Sequence, residues 1–95
     1  MSDRLEDVRQ AVELMHGCKA KHEKSIPLVE MFGEATVWEG VVESFAITGH
    51  PKATRCYAWS FLDGNEPRYI AVLEIPPVIS PQTAVRAAIA SGQQK

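Results

Sequence analysis

The tripeptide Asp63-Gly64-Asn65 stands between two runs of strand-forming residues, and a glycine-bearing turn in that setting commits the chain to an antiparallel hairpin. Before it, Arg55, Tyr57, Trp59 and Phe61 alternate with Thr54, Cys56, Ala58, Ser60 and Leu62, giving one aromatic face and one face of smaller side chains. After it, the run 68–75 is apolar on nearly both faces, which places it centrally in a sheet. Pro76-Pro77 ends that strand, because neither ring nitrogen can donate to a ladder.

Helices are expected on either side of this sheet segment. Leu5, Val8, Val12 and Met15 recur at helical spacing, with Ala11 and Leu14 widening the stripe, Ser2 as N-cap and Gly17 as the stop. Asp3, Glu6 and Asp7 fall in the first turn, where carboxylates favour the positive end of the helix dipole. At the other end Ser80-Pro81 has the order of an N-cap followed by a first-turn proline, and the small residues of 84–90 let that helix approach its neighbour closely before Gly92 closes it. The polar segment 19–25 reads as a frayed end or a linker, and the tail 93–95 as loose. Ile26 to Phe32 reads as an extended segment that Pro27 confines to a sheet edge. Residues 37–47 fit a helix and a strand alike, and Gly40 with the β-branched content decides for strand. The expected fold is a single α+β domain over residues 1–95, with an N-terminal helix, a three- to four-stranded antiparallel sheet, and a C-terminal helix packed on it.

Size and charge exclude several functions. A chain of 95 residues hides roughly 60–65% of its unfolded surface, enough for one core. With 10 Lys+Arg against 12 Asp+Glu it has no general attraction for nucleic acid or anionic lipid. The order of residues 1–6 is not that of a signal peptide, and no apolar run approaches the ~20 residues of a membrane span, so a cytoplasmic location with Cys18 and Cys56 as free thiols is expected. Residues 1–48 hold 9 acids and 5 bases and residues 49–95 hold 3 acids and 5 bases, a division suited to contact between subunits.

Several groups of residues invite a chemical reading. His16, Cys18 and His22 could contribute to a metal site, but the paired short spacings of structural zinc sites are missing, so no metal or cofactor is expected. Cys56 with His50 as base has the makings of a nucleophile, although a strand cysteine is more often a small buried hydrophobe. Glu39 and Glu43, with Glu30 and Glu34, could work as acid and base or cover a solvated face. Trp38 with the aromatic strand could form a stacking platform or a core. The turn 49–55 concentrates His50, Lys52 and Arg55, a set able to receive a small anionic ligand.

The helix, antiparallel strands and closing helix follow the order of the double-stranded RNA-binding domain, but the last helix opens on Ser80-Pro81-Gln82-Thr83 where such domains carry phosphate-gripping lysines, so RNA binding is set aside. The segments 37–43, 49–59 and 76–89 (VWEGVVE, GHPKATRCYAW, PPVISPQTAVRAAI) resemble a family of short uncharacterised bacterial proteins, some of them mobile gene-cassette products. The resemblance implies a compact bacterial cytosolic protein and carries no functional residues with it. The function expected is that of a non-enzymatic binding or interaction protein acting as a homo-oligomer, a dimer, through the face of Tyr57, Trp59 and Phe61. The alternatives are a ligand-binding protein or enzyme with a pocket near His50 and Arg55, using Glu39 or Glu43, and a protein partner bound along the edge 28–32.

Overall fold

The computed structural model describes residues 4–91, and Ser2, Asp3, Gly92 and the tail 93–95 lie outside them. The order is helix α1 (Arg4–His16), strands β1 (Lys19–Phe32), β2 (Ala35–Thr48), β3 (Arg55–Asp63) and β4 (Glu66–Leu73), then helix α2 (Pro81–Ala90). The four strands form one antiparallel meander in the order β1-β2-β3-β4. Asp63 pairs with Glu66, leaving Gly64-Asn65 as a two-residue loop whose glycine takes a φ of 66°.

The two helices cover opposite faces of the sheet. Leu5, Val8 and Val12 of α1 pack with Phe45, Ile47, Cys56 and Ala58, while Ala84, Val85 and Ala88 of α2 pack with Trp38, Val42, Tyr57, Trp59 and Ile70. This three-layer arrangement corrects two expectations. The fourth strand is an edge strand, not a central one, and it is apolar on both faces because each face has its own helix. Tyr57 and Trp59 are 4% and 2% exposed beneath α2, so the aromatic face is consumed within the chain and offers no surface to a second subunit. Only Phe61, partly buried at the margin of that core, keeps some exposure.

Segment 19–25 is strand, not helix end or linker. Cys18, Ala20 and His22 alternate inward beneath α1, while Lys19 and Lys21 point to water. Gly17, with a φ of 60°, ends α1, and the Glu13 carboxylate accepts the Ala20 amide at 2.8 Å to fix the entry into β1. Leu14 is 85% exposed and Met15 is also largely exposed, because His16 takes the inward position of the last turn and its Nε2 meets the Ala71 carbonyl at 3.1 Å. β1 lies at the sheet edge, as Pro27 requires. At α2, Ser80 accepts the Thr83 amide and Thr83 Oγ1 accepts the Ser80 amide, a reciprocal cap.

The sheet is not continuous across its middle. β1 and β2 pair along nearly their whole lengths, as do β3 and β4, but β2 and β3 share only four pairs, from Glu43↔Ala58 to Ala46↔Arg55. Beyond them the β1–β2 arm and the β3–β4 hairpin diverge. On the α2 side Trp38 and Trp59 bridge the gap edge to face, with ring centroids 5.7 Å apart. Gly40 makes room for this, since a Cβ there would stand 3.0 Å from the Trp38 ring.

Val12 and Val85 are fully buried on opposite faces. Val12→Ala and Val85→Ala are each expected to cost about 2 kcal/mol, and the double variant their sum, because the sites share no partner across the sheet. Urea unfolding of the three variants checks this, and a clearly non-additive double variant would contradict two separate cores.

Candidate functional site

The candidates Arg55 and Glu43 each enter a polar constellation, one on each face of the sheet, and neither is the His50 turn. On the α2 face a cavity of about 290 Å³ is lined by Glu23, Lys24, Ser44, Arg55, Tyr57 and Pro81. Glu23 reaches it because the β1–β2 register shifts between His22 and Lys24, a bulge that admits one extra residue. Arg55 Nε donates to Glu23 Oε1 at 2.8 Å, and its guanidinium lies 3.5 Å from Glu74 Oε1. Buried Ser44 donates to the same Glu23 oxygen at 3.1 Å, and the Tyr57 hydroxyl donates to Glu74. The Arg55 guanidinium, and next the Ser44 hydroxyl, hold the Glu23 carboxyl below its ordinary pKa. Burial, reinforced by Glu74, pushes the Tyr57 phenol up to about 12.

Chemically this is a closed circuit. Arg55 was expected to offer its charge to an anion together with His50 and Lys52, but its guanidinium is shared between two carboxylates. His50 points elsewhere: its Nδ1 accepts the backbone amides of Lys52 and Ala53 at 3.0 and 3.1 Å, which closes its own turn, and its ring meets that of His16. Lys52 is exposed. The three residues are not brought together.

On the α1 face the carboxylate that finds a histidine is Glu43, and the histidine is His22. His22 Nε2 lies 2.9 Å from Glu43 Oε1, Ser25 Oγ donates to that same oxygen, and Ser25 Oγ is 3.4 Å from Nε2. A serine, a histidine and a carboxylate thus meet, but a nucleophilic triad uses the two ring nitrogens for different partners, base on one side and orienter on the other. Here serine and glutamate both address Nε2, so the group ties β1 to β2 without a relay. Cross-strand pairing of Ser25 with Glu43 produces it, a register the sequence does not spell out.

The remaining candidates resolve as follows. Cys18 and Cys56 are free and buried together, and burial pushes the Cys56 thiol up to about 12 and raises that of Cys18. Neither is a thiolate at neutral pH, so the Cys56–His50 nucleophile is not formed. Glu30 is buried and accepts from Arg86 at 2.5 Å and from Gln82 at 3.1 Å, which fastens α2 to β1 and depresses the carboxyl. Glu39 is exposed, and its side chain makes no hydrogen bond or ion pair among the described residues. No group of three or more metal-ligating side chains is found among the described residues, and none of their helices is long and apolar enough to cross a membrane. No family model, curated protein or solved structure matches the chain.

Glu13, Glu23 and Glu30 all have lowered pKa values in the folded state. In the window between those values and the ordinary carboxylate pKa of about 4.3, the unfolded chain binds more protons, so stability rises with pH there. Denaturant midpoints are expected to stay level from neutral pH down to the ordinary carboxylate range and to fall below it, with Glu23→Gln flattening part of that limb. A midpoint that rises on acidification would contradict the assignment. Tyr57 runs the other way: its contribution is present below the free phenol value of about 10 and is lost as pH climbs through about 12. Tyr57→Phe is expected to lower stability by about 1 kcal/mol at neutral pH and to blunt the alkaline limb, read by the same titration.

Proposed function

We propose that this chain is a non-enzymatic interaction protein that associates with a second copy of itself through the tip of the β1–β2 arm. The observation that carries the reading is the apolar surface left on that tip. Phe32 is 81% exposed, and Val29, Met31 and Val37 are each about half exposed. With Ile89 and Ala90 at the end of α2, Met31, Phe32 and Val37 border a shallow groove of about 270 Å³ that is almost wholly apolar. Scattered apolar residues are ordinary on a surface, but a contiguous group around an apolar groove is the form an association site takes. Phe32 at the rim and the groove beside it make a self-complementary pair, so two tips related by a two-fold axis bury each other's phenylalanine.

The internal chemistry supports a binding role over catalysis. The Arg55 cavity is filled by its own counter-charges, the Ser25–His22–Glu43 group addresses one ring nitrogen, and both thiols are held protonated. We also infer a cytoplasmic location, in keeping with the two unpaired cysteines and with the resemblance to short bacterial proteins.

Sedimentation velocity at micromolar concentration is expected to show a dimer. A two-fold dimer buries two copies of Phe32, each worth about 1.5–3 kcal/mol, so Phe32→Ser should weaken association by about a hundred- to ten-thousandfold without altering the circular dichroism spectrum. A wild-type monomer, or a variant that associates as well as wild type, would overturn the reading.

A further inference from the structure

The groove at the tip of the β1–β2 arm contains a reactive atom. Glu30 pairs with Trp38 but Met31 pairs with Thr36, so Val37 is an extra residue on β2, and this bulge brings Met31, Phe32 and Val37 onto one groove with the end of α2. Met31 is 50% exposed. The exposed Thr36 hydroxyl donates to its Sδ at 3.3 Å, which holds the sulfur at the surface and uses one of its lone pairs while leaving a second.

A thioether gives this surface a reactivity that leucine or isoleucine would not. The sulfide is apolar, polarizable and a favourable contact for an aromatic ring, whereas its sulfoxide is polar and draws water. In the self-associated protein, on which this inference rests, the phenylalanine of a second copy lies in the groove and so against Met31. An oxygen on Sδ would lose its water there, with the single Thr36 hydroxyl left to serve it. The other sulfur atoms of the described residues are placed differently. Met15 is 52% exposed, but it lies in the last turn of α1, just before the start of β1, with the 14 residues of that strand between it and the tip. Its sulfur makes no hydrogen bond among the described residues. Cys18 and Cys56 are buried thiols, slow to react with peroxide.

We propose that Met31 is a site of reversible oxidation by peroxides, and that its sulfoxide separates the two copies. A lone pair of Sδ attacks one oxygen of hydrogen peroxide, and the S–O bond forms as the O–O bond breaks. The proton of the transferred oxygen passes to the departing hydroxide, which leaves as water, so sulfur loses two electrons and the peroxide gains them. Reduction by a methionine sulfoxide reductase returns the oxygen as water and converts a dithiol to a disulfide. Because association covers Met31, peroxide reaches it in the separated protomer, and the oxidised protomer does not re-associate. Met31 is therefore protected in proportion to the dimer present, and once oxidised it holds the protein apart until it is reduced.

The test treats the full chain with hydrogen peroxide and quenches it with catalase. Peptide mass spectrometry follows sulfoxide at Met31 and Met15, and sedimentation velocity follows association in the same samples. Oxidation of the wild type is expected to weaken association at least about tenfold, and reductase with dithiothreitol to restore it. The rate of oxidation at Met31, unlike that at Met15, should fall as protein concentration rises. Met31→Leu keeps the volume and the apolar character, so it should associate like wild type and stay associated after peroxide. Met15→Leu should dissociate on treatment as the wild type does. A wild-type chain that still sediments as a dimer with Met31 fully oxidised, a Met31→Leu variant that dissociates as readily on treatment as wild type, or a Met31 rate independent of concentration would each overturn the proposal. An untreated monomer would overturn the tip reading and this proposal with it, whereas an untreated dimer that survives oxidation of Met31 overturns this proposal alone.

Discussion

Four residue pairs, Glu43 to Ala46 against Arg55 to Ala58, join two hairpins that otherwise stand apart. Both cores are built around this short ladder. Phe45, Cys56 and Ala58 turn from it toward α1, while Tyr57, with Val42 and Trp59 at its margin, turns toward α2. A ladder this short is a weak hinge by itself, and the two helices stabilise it by burying apolar surface on each side. The polar groups next to it serve the same end. Glu23, Ser44 and Arg55 join β1, β2 and β3 above the α2 face, and His22, Ser25 and Glu43 join β1 to β2 on the other. A common cause thus underlies the buried polar network, the paired helices and the gap where the hairpins part.

Much of this fold is written in local chemistry. The hairpin turn at Gly64, the end of α1 at Gly17 and the start of α2 at Ser80-Pro81 each depend on a backbone conformation or cap that few residue types supply, so the sequence shows them directly. The strand 35–48 was legible from Gly40 and its β-branched neighbours, though the reason for the glycine, the Trp38 ring folded over it, is visible only in three dimensions. The start of β1 was hidden because an edge strand shows half its side chains to water, and Lys19, Lys21 and Lys24 mask the inward alternation of Cys18, Ala20 and His22. The fourth strand misled for the opposite reason. Continuous apolarity marks burial on both faces, and a second helix supplies that at an edge as well as a further strand would.

The sites were less legible than the elements. Arg55 and Glu43 stood out as charged residues on strands, and both do sit at the centres of polar groups. Their partners, Glu23, Glu74, His22 and Ser25, depend on strand register and on a one-residue bulge. Neither is set by spacing along the chain. His50 looked like a functional group because it is titratable and lies in a turn, yet its ring is used to close that turn. The aromatic strand was read as an interface on the expectation that the helices leave its face uncovered, whereas α2 packs on that face. The surplus of apolar surface is real, but it lies at the far end of the β1–β2 arm, where α2 borders it without covering it.

The position of α2 couples parts of the molecule that share no ladder. The chain enters it from β4, one edge of the sheet, and Gln82 and Arg86 tie it through Glu30 to β1, the other edge. The helix is therefore a strap across the full width of the sheet, crossing the gap on the side where the tryptophans close it. When it detaches, both outer strands lose their cover in one event, and the angle between the two hairpins loses its main restraint on that face.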